Sequence, residues 1–381
     1  MSMNQTRIYF DNAATTPLIP TARAAMEPFW DEIFGNASSP YATSRVARMA
    51  LDEARTATAK LIGAHADEIA WTGGGTESDN WALLGVALAH MEDKGHFVIS
   101  AIEHHAVLET AQTLKELGFE VDFARSNRDG VVEPDEIARL VWPNTLLVSV
   151  MSANNETGAV QPIAQIAQIC HEKNTLFHCD ATQSAGKMAL DVDFASEHGA
   201  DLMTLSAHKI GGPKGVGALY IRRGTTMRPL LRGGAQERGR RAGTENVPGI
   251  AGFGAAATLA RQNLELNTAH LENLRNHLEN GLRMHDNIEI VAQNVLRAPH
   301  ISSFIVSNVR AESLALNLDL KGFAVGTGSA CASGALEPSH VLAAMGYSAH
   351  EAKSALRISF GPQNTLAEVD EFLAELEKLI K

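Results

Sequence analysis

The stretch Thr175-Leu176-Phe177-His178-Cys179-Asp180-Ala181-Thr182-Gln183-Ser184 frames the reading of the chain. A short apolar run ends on a carboxylate and passes into small polar residues. It predicts a strand over 175–179 whose carboxyl end presents Asp180 to a ligand crevice. Taken alone, Asp180 could equally be a helix N-cap. Similar apolar runs lie on either side, at 145–150, 202–205 and 216–221, with a helix over 162–173. Further upstream, strands are expected at 68–71 and 97–100. Helices are expected at 21–34, 44–62, 76–90 and 105–117. Strands alternating with helices indicate an α/β fold on a mostly parallel sheet covered on both faces.

Beyond Asn246 the pattern changes. A long helical stretch, roughly 247–284, leads into a shorter α+β segment, with a strand at 357–360 and a closing helix at 365–380. The expected boundary lies near residue 260. With 381 residues the chain is too long for one small core, so a large domain with a smaller partner is expected. A content of 45% hydrophobic and 20% charged residues suits a soluble globular protein. The net charge of -12 argues against a sequence-independent grip on nucleic acid. Cys170, Cys179 and Cys331 are odd in number and contain no CxxC pair. That argues against a disulfide framework or a cysteine zinc site and points to a reducing compartment. Residues 1–17 lack the apolar core of a secretory signal, and no run approaches the ~18 apolar residues a membrane span needs. The expectation is a cytoplasmic protein with no membrane or nucleic-acid partner and no metal.

Ser206-Ala207-His208-Lys209 runs into Ile210-Gly211-Gly212-Pro213-Lys214-Gly215. A lysine just after a buried strand, before a glycine-rich turn, suits an amine that forms a Schiff base. The residues alone do not choose between Lys209 and Lys214, and a surface lysine in a turn is the plainer alternative. Gly73-Gly74-Gly75-Thr76 opens a helix, where backbone N–H groups and the Thr76 hydroxyl can meet an anion. It matches neither a Walker loop nor a dinucleotide fingerprint; a strand–helix turn capped by Thr76 explains it as well. His104 and His105 also open a helix, where one could stack on a ring or simply cap. Asn154-Asn155-Glu156-Thr157-Gly158 is a polar turn whose amides could bond a ligand. Cys331 lies in Gly326-Thr327-Gly328-Ser329-Ala330-Cys331-Ala332-Ser333-Gly334. Small neighbours suit a reactive thiol on an accessible loop, or else a tight inert packing contact.

Together these segments resemble the cysteine desulfurases, within the fold-type I pyridoxal-phosphate (PLP) enzymes grouped as class V aminotransferases. The resemblance runs from Tyr9-Phe10-Asp11-Asn12-Ala13-Ala14-Thr15-Thr16-Pro17 through Phe34-Gly35-Asn36, Thr76-Glu77-Ser78-Asp79-Asn80, Glu103-His104 and Asn154-Asn155-Glu156. It continues through Asp180-Ala181-Thr182-Gln183-Ser184, His208-Lys209 and Gly239-Arg240-Arg241-Ala242-Gly243-Thr244. It closes at Gly328-Ser329-Ala330-Cys331, Glu337-Pro338-Ser339 and Leu356-Arg357-Ile358-Ser359. Three places depart from the family pattern: Gly326-Thr327 replaces a frequent Ser-Ser, Ser152-Ala153 a frequent His-Val, and His105 a frequent lysine.

The resemblance implies a PLP-dependent transferase of fold type I. It would have a large PLP-binding domain with a seven-stranded, mostly parallel sheet over 18–260. Residues 1–17 and 261–381 would form a smaller α+β domain carrying the Cys331 loop and Arg357. It implies removal of sulfur from L-cysteine, giving L-alanine and a persulfide on Cys331. The persulfide sulfur would pass to a scaffold or carrier protein, for iron–sulfur cluster assembly or another sulfur-transfer pathway. Lys209, not Lys214, takes the Schiff-base role. Asp180 pairs with the pyridine nitrogen and Gln183 bonds the ring's phenolic oxygen. His104 stacks on the ring and moves protons. Gly75, Thr76, Ser206 and His208 surround the phosphate, joined by Thr244 from the partner subunit of a homodimer. Asn36, Asn155 and Arg357 hold the substrate, with Arg357 on its carboxylate.

Overall fold

The computed structural model describes residues 7–194, 199–327 and 338–380. Strand β1 is Ile8–Phe10. Seven strands follow and form one sheet: β2 (Ile69–Thr72), β3 (His96–Ser100), β4 (Glu120–Ala124), β5 (Thr145–Ser149), β6 (Leu176–Asp180), β7 (Leu202–Ser206) and β8 (Gly217–Ile221). Their order is β2-β8-β7-β6-β5-β3-β4. Neighbours from β7 to β4 are parallel, and β8 runs antiparallel to both β7 and β2. Only β8 is therefore reversed, so β2, β3, β5, β6 and β7 all end at the same edge.

The strand sequences are apolar on both faces because helices cover both. Phe97 and Ile99 of β3 pack with Trp81 of the helix Gly75–Ala89 and Val107 of the helix His105–Glu116. Val98, between them, joins the opposite core with Leu51, Ile166 and Phe253. Those three come from the helices Ala42–Leu61, Ile163–Glu172 and Val247–Gln262. This is the two-residue alternation of a strand buried on both sides.

A second sheet combines β1 with β9 (Ile288–Ile290), β10 (Ile301–Val306), β11 (Phe323–Thr327) and β12 (Ala355–Ser359), in the order β1-β11-β12-β10-β9. The β1–β11 pair is parallel and the others are antiparallel. Its core joins Phe10, Phe304 and Phe323 to Leu274, Leu278 and Phe372 from the helices Leu264–Leu282 and Leu366–Ile380. Phe10 meets Phe360 and Phe372 edge-on at 5.1 and 5.8 Å between ring centres.

Two expected helices are corrected. The stretch 247–284 is two helices broken at Asn263 (φ -103°, ψ 13°). The first half packs its small residues on the large core: a Cβ on Gly254 would lie 2.5 Å from the Ala54 Cα. The second half presents leucines to the other sheet, so the axis must turn between them. The stretch 21–34 is helical only over Pro20–Met26, followed by a 3₁₀ turn at Glu27–Phe29. Pro28 has no N–H to continue the ladder. The strand β4 went unread because Glu120 and Asp122 interrupt its apolar pattern at the sheet edge. Among the described residues, no helix is long and apolar enough to cross a membrane.

Candidate active site

At the edge where the parallel strands end, Gly75, Thr76, His104, Asn155, Asp180, Gln183, Ser206, His208, Lys209 and Arg357 line one cavity of about 270 Å³. Strand ends and the loops that leave them supply nearly all of it, as expected for a parallel α/β sheet. Arg357 alone comes from the second sheet, on β12.

Lys209 closes the 3₁₀ turn Ala207–Lys209 directly after β7. Its Nζ donates to the carbonyl oxygens of Ala13 at 2.6 Å and Ala14 at 2.8 Å. Lys214 is exposed and lies outside the cavity lining. Asp180 is the last residue of β6 and is buried; its Oδ1 accepts from the Thr182 N–H at 2.9 Å.

Of the readings posed for His104, the structure shows the helix cap. The residue caps the helix His105–Glu116, with Nδ1 accepting from the Ala106 N–H at 3.1 Å, and it lines the cavity. A neutral ring bonded this way carries its proton on Nε2. Burial lowers its pKa, against the pull of Asp180 and with the help of Lys209. His208 has Nδ1 3.0 Å from the Thr15 hydroxyl, and burial with the charge of Lys209 brings its pKa to about 4.

The helix Gly75–Ala89 starts beside Thr76, Ser206 and His208, and no side chain caps it at Gly74. Its first-turn N–H groups are thus open to an anion. Gly74 has φ +153°, and a Cβ on Gly217 would lie 2.5 Å from its backbone, so this turn is pressed against β8.

Gln183 donates from Nε2 to the Ala13 carbonyl at 2.9 Å, and its Oε1 lies 3.2 Å from His300 Nε2. Arg357 donates to Asp11 Oδ1 at 2.7 Å and to the Asn155 carbonyl at 2.8 Å, while its buried Nε has no partner among the described residues. Asn36 and Thr244 are exposed and do not line the cavity of this single chain; Asn36 Oδ1 accepts from the Ser38 N–H. Cys331 lies outside the described residues. Cys170 and Cys179 are buried, and burial raises both thiols.

Several contributors were not singled out from the residues. Asp79 lines the cavity, and Glu103 is fully buried, its Oε1 accepting from the Met151 N–H at 2.6 Å. Burial first, then the nearby Asp180 carboxylate, pushes both carboxyls well above the ordinary range. A carboxylate inside a helix of buried residues, as at Asp79, was the available signal. The Ala13 and Ala14 carbonyls and His300 carried none.

PLP requires an amine for its aldehyde, a carboxylate for its ring nitrogen and an anion site for its phosphate. Lys209, Asp180 and the open helix start with Thr76, Ser206 and His208 provide these three around one cavity, so the residues fit the group.

The aminotransferase class-V family model matches residues 8–372. The chain belongs to that family. It is 44% identical to the cysteine desulfurase IscS of Dictyoglomus turgidum over 376 residues, 98% of this chain and 94% of the relative. A solved NifS-like protein superposes with a TM-score of 0.91 at 38% identity, covering 98% of this chain and 99% of the other. A solved structure described as SspA in complex with cysteine has a TM-score of 0.83 at 32% identity, covering 94% of this chain and 100% of the other. Within the class-V family, the chain belongs with the cysteine desulfurases.

Proposed function

We propose that this chain binds PLP through Lys209, removes sulfur from L-cysteine to give L-alanine, and receives that sulfur as a persulfide on Cys331. The observation that carries the reading is the convergence of Lys209, Asp180, His104 and Arg357 on one cavity. When bound, PLP supplies an aldehyde that joins to amines and a ring that accepts electron density from the bond being broken.

The residues divide the remaining work. Arg357 would hold the substrate carboxylate through a guanidinium whose Nε has no partner among the described residues, with Asn155 beside the substrate and Asn36 joining from outside the cavity lining. Asp180 sets a negative charge against the ring nitrogen. Gln183 bonds the ring oxygen. Thr76, Ser206, His208 and the helix start at Gly75 hold the phosphate, with Thr244 reaching in from the partner of a homodimer. The Lys209 amine would take up the Cα proton, and His104, with its proton on Nε2, could supply one. Cys331, as a thiolate, would attack the substrate sulfur: the S–S bond forms as the Cβ–S bond breaks, and the electron pair left on the carbon skeleton takes up a proton on the way to alanine. A scaffold or carrier protein then takes the sulfur, for iron–sulfur clusters or another sulfur-transfer pathway, in the cytoplasm. This reading divides the chain into a PLP-binding domain over 18–260 and a smaller domain over 1–17 with 261–381. The pairing of β1 with β11 and the shared core around Phe10 support that division.

The test is alanine release from L-cysteine by the purified, PLP-loaded protein, with the bound sulfur located by mass spectrometry. Stoichiometric alanine with extra sulfur on the Cys331 peptide is expected. No alanine would reject the reading.

A further inference from the structure

We infer that His300 is a positioning residue for this site, anchoring the Gln183 amide oxygen so that, together with the Ala13 carbonyl, it keeps an N–H of that amide turned to the cavity. The inference rests on the proposed role of Gln183 as a donor to the bound group. His300 lies just before β10 and is fully buried, with its carbonyl accepting from the Phe360 N–H at 2.9 Å. The second sheet therefore holds it in place.

The bonding sequence leaves one arrangement. The Ala13 carbonyl can only accept, so the end of Gln183 lying 2.9 Å from it is the NH₂. The opposite end, 3.2 Å from His300 Nε2, is then the amide oxygen. That oxygen requires a proton on His300 Nε2. His300 Nδ1 is buried with no partner among the described residues, which suits a bare nitrogen on a neutral ring. Lys187, Arg357, Lys209 and Arg275 all act on this ring, and together with burial they disfavour a second proton. Lys187 is itself buried, its amine without a partner among the described residues.

The consequence concerns polarity. Gln183 lines the cavity with its oxygen turned to His300, so the second N–H of its amide is the donor it can offer there. Such a group bonds an anionic oxygen. The Ala13 carbonyl that takes the other N–H also takes the Lys209 amine at 2.6 Å. Gln183 and Lys209 thus share one backbone oxygen, and His300 joins them through the Gln183 amide.

The experiment titrates the visible absorbance of the PLP-loaded protein with pH. His300→Gln keeps a donor at this end of the ring's position, whereas His300→Met removes it. The midpoint of H300Q should match the unmodified protein. That of H300M should rise by about one pH unit, because losing one charge-assisted donor favours the protonated form. Gln183→Met separates the two readings. A midpoint unmoved in Q183M rejects the role of Gln183 itself. A midpoint moved in Q183M but not in H300M, or moved equally in H300Q and H300M, overturns the inference. If H300M does not fold, ¹⁵N NMR of the imidazoles decides, with the His300 signals assigned by their loss in H300Q. A proton on Nε2 and a bare Nδ1 support the inference, and a proton on Nδ1 overturns it.

Discussion

The Lys209 amine lies 2.6 Å from the carbonyl oxygen of Ala13, 196 positions earlier in the chain. The contact exists because β1 is built into the second sheet beside β11, which carries the following residues over the ends of β6 and β7. The N-terminal segment thus forms one wall of the cavity and places the reactive amine. The backbone carbonyls of Ala13 and Ala14 hold that amine in the cavity wall.

Lys209→Ala should abolish the visible absorbance of bound PLP and lower turnover by roughly 10²–10⁴-fold, the usual worth of a positioned proton-transfer group. Lys214→Ala, at an exposed position, should leave both unchanged. A spectrum of each purified variant checks this. Retained absorbance in K209A would remove the assignment.

Arg357→Ala should raise the KM for L-cysteine by roughly 10–100-fold, the range expected for losing charge-assisted bonds to a carboxylate. Arg357→Lys should recover only part, because a point charge cannot reproduce the planar fork. Steady-state kinetics on both variants separates this from a fold defect, since lost folding lowers the active fraction without moving KM.

Cys331→Ala should keep the absorbance of the bound cofactor while alanine and sulfide release from L-cysteine stop. Alanine quantified over many turnovers makes the comparison. Efficient desulfuration by this variant would mean that another group receives the sulfur, as in a β-lyase.

Glu156 is buried, and its Oε2 accepts from the Ser339 hydroxyl at 2.5 Å. Burial pushes its carboxyl up to about 7 from the usual 4.5, although the Ser339 bond and Arg357 pull it down. Between those values the folded chain keeps a proton that the unfolded chain has released. Stability therefore falls as pH rises through that window and levels off above it. The loss amounts to about 3 kcal/mol. Glu156→Gln keeps an acceptor for Ser339 and carries no charge. Its unfolding midpoint should be flatter between about pH 5 and about pH 8, and higher than the parent's at the upper end. Urea unfolding at several pH values measures this; parallel curves would exclude Glu156 as the titrating group.

Much of this was open to reading from local pattern. Continuous apolar runs such as 97–100 and 202–205 announce strands covered on both faces. Asp180 at the end of such a run announces a residue at the crevice. Where local pattern misled, a tertiary demand overrode it. Asn263 breaks a stretch that is helical on either side because its two halves serve different cores. The polar edge strand β4 is held by pairing with β3 along its whole length and carries little apolar signal of its own.

The chemical types at the site belong to the chain's one-dimensional record: a lysine after a strand, a carboxylate at a strand end, glycines before a helix. Their neighbours do not. That the Ala13 carbonyl takes both Lys209 and Gln183, that His300 orients Gln183, and that Arg357 meets Asp11 depend on residues far apart in the chain. No periodicity encodes a hydrogen bond across such a separation, because its partners meet only once two separate cores have packed.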